Sequence, residues 1–240
     1  MGFKLILEDH FQGTGSPNPK IWNVEKGGHG FGNQEDQYYT TRTKNIHVKD
    51  GTLNIIAHKE KYYHRNYTSA KLTTKNKVSI QYGRIEVMAA LPKGLGTWPA
   101  IWLLGDKIDQ KGWPLCGEID LMEHVGKNPE FIHFSLHSKG QNHHIGNQPT
   151  AFFKILGILD GFHEYRMDWD EKKISFYIDQ VHYVTFEKGQ HDDEVNWPFD
   201  QGFYLILNLA IGGTWGGSID DSIFPQTMKF KYVKIYERSE

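Results

Sequence analysis

The chain predicts an all-β fold, a sandwich or a barrel, on three grounds. Short runs rich in β-branched and aromatic residues recur between Gly, Pro, Asn and Asp punctuation. No long segment carries apolar residues at helical spacing. No internal repeat, low-complexity tract or Pro-rich linker divides the sequence. With 240 residues, 38% hydrophobic and 14% aromatic, one sizeable core can be buried, so a single domain over residues 1–240 is expected.

In chain order the expected strands cover residues 52–57, 82–91, 100–104, 118–124, 131–138, 164–168, 174–178, 204–210 and 228–236. Residues 150–159 are the one stretch expected to form a short helix, interrupted at Gly157. Irregular surface loops are expected at residues 17–19 and 27–32. Trp22 and Trp169 are assigned to the core, Trp197 to no position, and His143 and His144 to a solvated loop.

Charge and composition narrow the function. Twenty-seven Lys and Arg stand against 29 Asp and Glu with no long basic block, which argues against nucleic acid as a partner. No apolar run approaches the ~20 residues of a membrane span. The opening seven residues are too short for the apolar region of a leader, so the chain is expected to be extracellular if a leader has been removed and cytoplasmic otherwise. The single cysteine, Cys116, permits no internal disulfide; among Trp113, Leu115 and Ile119 it is expected to pack as a small apolar group. A monomer is expected.

The informative stretch is Gly117-Glu118-Ile119-Asp120-Leu121-Met122-Glu123-His124, three acids within six residues among apolar neighbours. On a helix Glu118 and Asp120 would lie about 200° apart. On a strand they share one face, with Ile119 and Leu121 on the other. Regular alternation would then turn Glu123 into the core, at a cost of several kcal/mol for an unpaired charge. A β-bulge at Leu121 or Met122 returns Glu123 to the acidic face, and bulges are enriched beside active sites. The glutamate Cα atoms would then lie roughly 13 Å apart. Carboxyls leaning inward over the shorter Asp120 would approach the ~5 to 5.5 Å separation of retaining glycosidases rather than the ~6.5 to 9.5 Å of inverting ones. Three crowded carboxyls also oppose full ionisation, so one proton is retained for a leaving group while Asp120 orients and tunes the nucleophile.

In residues 131–137, His133, Ser135 and His137 alternate with Ile132, Phe134 and Leu136, giving a polar face that lines a groove if this strand pairs with the acidic one. His137 is the expected partner of Glu123. Zinc binding by His133 and His137 fails on geometry, because four strand steps separate them by about 13 Å. Trp98, Trp102 and Trp113 stand near the acids in sequence, and aromatic rings suit the apolar faces of pyranose rings.

At these residues the chain resembles glycoside hydrolase family 16, in the laminarinase-like branch with the signature Glu-x-Asp-x-x-Glu. The extra Met122 separates it from the lichenase and xyloglucan-transferase branch, whose pattern is Glu-x-Asp-x-Glu. The likeness extends through Gly30-Phe31-Gly32-Asn33-Gln34-Glu35, Tyr82-Gly83-Arg84-Ile85-Glu86, Trp98-Pro99-Ala100-Ile101-Trp102 and Phe203 to Ala210. The resemblance implies a β-jelly-roll sandwich of two antiparallel sheets with a concave groove, endo-acting cleavage of a β-glucan polysaccharide, Glu118 as nucleophile and Glu123 as general acid/base. It also implies sugar contacts or groove support from Asn33 on the non-reducing side and from Arg84, together with a wall at Trp215. Alternative activities are cleavage of mixed-linkage β-1,3-1,4-glucan or of a galactan on the same fold, and non-catalytic β-glucan binding; the presence of both glutamates argues against the last.

One departure concerns metal. The resemblance implies a structural calcium held by an acid in an Asp-Glu-Phe stretch and an Asp of the last strand, but this chain has His10 and Lys231 at those places. An ammonium offers donors and no acceptor, so no metal or other cofactor is expected. Lys231 is expected to place its charge near Gly51 and the strand at Glu8 and Asp9, tying the chain ends together.

Overall fold

In the computed structural model, which describes residues 2–239, strands form where side chains alternate between core and surface. The first nine are β1 (Gly2–Asp9), β2 (Asn23–Val24), β3 (Gln37–Tyr39), β4 (Ile46–Lys49), β5 (Thr52–Tyr62), β6 (Arg65–Ser69), β7 (Lys71–Thr73), β8 (Gly83–Ala90) and β9 (Thr97–Gly105). After a single helical turn, α1 (Ile108–Lys111), come β10 (Glu118–Glu123), β11 (Phe131–His137), β12 (Thr150–Lys154), β13 (His163–Trp169), β14 (Lys173–Ile178), β15 (Val181–Glu187) and β16 (Phe203–Ile211). A second turn, α2 (Gly213–Gly216), and a 3-10 turn at Asp221–Ile223 lead into β17 (Gln226–Ser239).

These strands build the jelly-roll sandwich of two stacked sheets. One has ten strands, with β15-β14-β13-β8-β17-β5-β6-β3 in order, β1 added beside β17 and β4 beside β5. The other has seven, in the order β12-β11-β10-β9-β16-β7-β2. Neighbours pair antiparallel except β3 with β6. Between the sheets lies one apolar layer. Ile55, Ile85, Val87, Met167, Phe176 and Phe230 enter from the larger sheet, and Ile101, Leu103, Ile119, Phe134 and Leu207 from the smaller. Trp22 and Trp169 are buried in this layer, and Trp197 joins them. Among the described residues no helix is long and apolar enough to cross a membrane.

Residues 150–159 are not helical. Thr150–Lys154 is the edge strand β12, paired with β11 from Phe131↔Lys154 to Ser135↔Thr150. Phe153 turns inward to the core while Phe152 faces out, a period of two that pairing with β11 imposes on a sequence with no strong local preference.

Cross-strand pairing aligns the outward residues of the smaller sheet in rows. One row runs Lys71, Asn208, Ala100, Glu123, His133, Phe152. The next runs Thr73, Ile206, Trp102, Asp120, Ser135, Thr150, and a third Tyr204, Leu104, Glu118, His137. Every acid of the informative stretch is therefore on this outer face.

The entry to β10 depends on a close backbone approach. The Gly105 N–H donates to the Gly117 carbonyl at 3.2 Å, and a Cβ on Gly105 would stand 2.0 Å from the Cys116 carbonyl oxygen. Gly105→Ala is expected to displace the Cys116 to Glu118 segment, costing about 1–3 kcal/mol as an overpacked site does and lowering both Tm and turnover. An unchanged melting temperature by calorimetry would show that the backbone gives way freely here.

Candidate active site

The bulge lies where alternation demanded it. Against β9, Asp120 pairs with Trp102 and Met122 with Ile101, leaving Leu121 as the extra residue. Against β11, Asp120 pairs with Ser135 and Glu123 with His133. Ile119, Leu121 and Met122 are all fully buried in the core layer, while Glu118, Asp120 and Glu123 leave on the opposite face.

Each glutamate is held by an indole. The Trp113 Nε1–H donates to Glu118 Oε2 at 3.0 Å, and the Trp98 Nε1–H donates to Glu123 Oε1 at 3.1 Å. Asp120, 2% exposed, stands between them with His137 Nε2 3.1 Å from its Oδ2 and 3.7 Å from Glu118 Oε1. Burial first, and the Asp120 charge second, push the Glu118 carboxyl up to about 8 against the opposing pull of His137. Glu123 is pushed up to about 8 by the same two causes in the same order, and Asp120 to about 8 by burial. Three such groups share protons as a unit, so the cluster carries less than its full negative charge at neutral pH.

His137 is therefore a partner of Asp120 and Glu118, not of Glu123 as the sequence suggested. Its register places it opposite Glu118, and His133 takes the place opposite Glu123. Glu118, Asp120 and His137 offer atoms within 4.8 Å of one another, close enough for a divalent ion, although the protons that the buried carboxyls retain compete with one.

Aromatic walls rise at both ends of β10. Beyond Glu118, Trp113 packs against His143 at 4.9 Å and His144 at 4.8 Å between ring centroids, and His143 lies 5.2 Å from His137. The loop carrying these histidines is exposed, as the sequence led one to expect, and it also lies against Trp113; partial burial, followed by the His137 and His144 charges, pushes His143 down to about 4. Beyond Glu123, Trp215 on α2 meets Trp98 at 5.4 Å and His133 at 4.8 Å. The Asn33 carbonyl accepts from the Thr214 N–H at 2.8 Å, which sets Asn33 beside the Trp215 turn. Trp102, next to Asp120 across the strands, donates its Nε1–H to Asn208 Oδ1 at 2.6 Å. Sequence reasoning did not single out Asn208. Its signal was a lone polar residue inside the apolar run of residues 203–211.

Arg84 lies elsewhere. It sits on β8 in the ten-stranded sheet, facing away from the core, and forks onto Asp168 with Nε 2.6 Å from Oδ1 and Nη2 2.9 Å from Oδ2. A residue on the outer face of that sheet cannot line a groove on the outer face of the other.

Lys231 does not tie the chain ends. A bulge between Phe230 and Tyr232 takes it out of alternation, and its exposed ammonium lies 4.3 Å from the centre of the Phe162 ring. The cation facing β1 is Lys234, whose Nζ is 3.3 Å from Glu8 Oε1. His10 Nε2 meets the same oxygen at 2.6 Å, and both Asp9 carboxylate oxygens accept hydrogen bonds, from Phe11 N–H and Trp22 Nε1–H at 2.8 Å each. This set of donors and engaged acceptors does not fit a calcium ion. Cys116 is buried, and burial first and the Glu118 charge second push its thiol up to about 12.

Paired carboxyls on one sheet face, a third acid between them and indoles on either side define a glycoside hydrolase that works with two acids. The profile of the Glycosyl hydrolases family 16 matches residues 33–234, and the chain belongs to that family. It is 43% identical to a β-glucanase of Rhodothermus marinus over 98% of this chain and 85% of that one. It superposes on the laminarinase of Rhodothermus marinus with a TM-score of 0.96 at 42% identity, covering 100% of this chain and 99% of that chain. It is also 35% identical, over 98% of its length, to the glucan endo-1,3-β-glucosidase A1 of Niallia circulans, of which it spans 38%.

Raised carboxyls have a stability consequence. A group whose folded pKa lies above its unfolded value contributes stability that is fully present below the unfolded pKa, near 4, and lost as pH rises through the folded value, here about 8. Asp120→Asn, isosteric and uncharged, is therefore expected to melt higher than wild type at pH 8, with most of that gain gone at pH 5. On this chain length each kcal/mol recovered is worth about 2–4 °C. Calorimetry at the two pH values checks it, and a gain at pH 5 that vanishes at pH 8 would reverse the sign.

Proposed function

We propose that the protein is a retaining, endo-acting glycoside hydrolase that cuts β-1,3-glucan by double displacement, with Glu118 as nucleophile and Glu123 as general acid/base. The observation that supports this best is the Leu121 bulge, which sets two indole-held glutamates on one face with Asp120 between them. Both glutamates accept an indole N–H and both are pushed up to about 8. Glu118 is assigned the anionic role because His137 Nε2 stands 3.7 Å from its Oε1, where a positive charge favours the carboxylate.

In the first step the Glu118 carboxylate attacks the anomeric carbon while Glu123 gives its proton to the departing glycosidic oxygen, leaving a glycosyl ester on Glu118. In the second, Glu123, now ionised, takes a proton from water as that water attacks the same carbon and frees Glu118. Endo action agrees with the outer sheet face continuing past the acids in both directions, to Asn208 and Lys71 on one side and His133 and Phe152 on the other. The acids and their holding indoles all come from one chain, which supports action as a monomer, and a substrate polymer too large to enter a cell supports action outside it.

Glu118→Gln and Glu123→Gln are each expected to abolish most activity on laminarin without unfolding the protein. With an activated aryl β-glucoside, whose leaving group needs no proton, Glu123→Gln should still release aryl alcohol in a first turnover and Glu118→Gln should not. Proton NMR of the first wild-type product should show the β-anomer. Equal bursts from the two variants would mean that the roles are exchanged, and an initial α-anomer would end the double-displacement reading.

The protein is further proposed to need no calcium, since the positions from which the family's ion would be held carry His10 and Lys231. Melting curves in excess calcium and in EDTA should coincide. A Tm several degrees higher with calcium would require a bound ion.

A further inference from the structure

Phe152 is out of place for a side chain with only a structural task. It is 60% exposed on an edge strand, where apolar residues invite association with other chains. Its direction gives it another use. Phe152 pairs with His133, which pairs with Glu123, so all three leave the sheet on the catalytic face in one row. The Phe152 and His133 rings lie 5.5 Å apart and only 31° from parallel, and Phe131 backs Phe152 at 6.1 Å. Two strand spacings put Phe152 roughly 10 Å from Glu123, the reach of about two sugar residues along the row. In the adjacent row the hydroxyls of Ser135 and Thr150 lie 2.9 Å apart, polar partners beside an apolar ring. An exposed ring with hydroxyls alongside is the chemistry that takes the apolar face of a pyranose and its rim of hydroxyl groups.

We propose that Phe152, flanked by His133, is a stacking platform for the second sugar on the leaving-group side of the cut. The inference rests on the glucanase reading above and deepens it. Asn33, expected on the non-reducing side, lies beside the Trp215 turn that follows β16, and Phe152 lies on the opposite edge of the sheet from β16, across β10. The platform holds the reducing part of the chain until it departs in the first step, so it sets how much substrate length matters.

The test compares wild type, Phe152→Ala, Phe152→Thr and Phe152→Trp on laminarihexaose and on an aryl β-laminaribioside, whose leaving group does not extend to the second site. Phe152→Ala should lower kcat/KM on the hexaose about tenfold, mostly through KM, while the aryl substrate stays within about twofold. Phe152→Thr, a strand former without a ring, should behave like the alanine variant, and Phe152→Trp should restore the hexaose. Unchanged hexaose kinetics in the ringless variants, or equal losses on both substrates, would refute the platform. Wild-type protein that turns over the aryl glycoside and leaves the hexaose intact would defeat the glucan reading beneath it, a result distinct from either.

Discussion

The bulge at Leu121 in β10 governs the site. With all six residues in strict alternation, Met122 would leave on the acidic face and Glu123 would enter the core among Ile119, Leu103 and Phe134. With the bulge, Leu121 and Met122 both go inward, the core stays apolar and both glutamates go outward. A backbone irregularity that adds nothing to the chemistry thus decides whether the two acids share a face. It also fixes what each glutamate meets, because the register on either side of the bulge sets Glu118 opposite His137 and Glu123 opposite His133.

Burial then works against stability and for reactivity. Enclosing three carboxyls between Trp113 and Trp98 raises all of them, and a carboxyl that holds a proton near neutral pH is what a leaving alkoxide needs. The indole donors limit the penalty by giving each glutamate one fixed hydrogen bond, which also sets the direction in which its free oxygen points. The same enclosure leaves the buried Cys116 thiol protonated and inert.

How much of this was legible in the sequence follows a physical line. The bulge was legible because it resolves a local conflict, a charged residue on an apolar face, and the outward row of His133, Ser135 and His137 was legible as plain alternation. What needed the pairing of distant strands was not. The alternation of Ile85 and Val87 marks Arg84 as outward but cannot say from which sheet, and the answer put it on the wrong side of the molecule. His137 was near the acids as expected, yet which acid it met is a matter of register. Residues 150–159 read as a helix because an edge strand of five residues carries too little pattern to announce itself, and the exposure of His143 and His144 was legible while the contact of their loop with Trp113 was not, because nothing local shows it.

The two halves of the groove face are consequently built by different means. On the side of β16, Trp102 is locked by a buried polar chain in which Asn208 accepts its N–H and donates to the Tyr39 hydroxyl at 3.1 Å, Tyr39 donates to Glu35 at 3.2 Å, and Gln37 donates to Glu35 while accepting the Ile211 N–H at 2.7 Å. Lys71 completes it, its ammonium 5.2 Å from the Trp102 ring centre and 5.0 Å from that of Phe31. Every member is fixed by two or more others, so the ring orientation is specified before any sugar arrives. Beyond Glu123 the face ends on a single edge strand, where the Phe152 side chain meets the rings of His133 and Phe131. Rigid support on one side and a lone exposed ring on the other suit a reaction in which one sugar must stay through both steps while its neighbour leaves and is replaced by water.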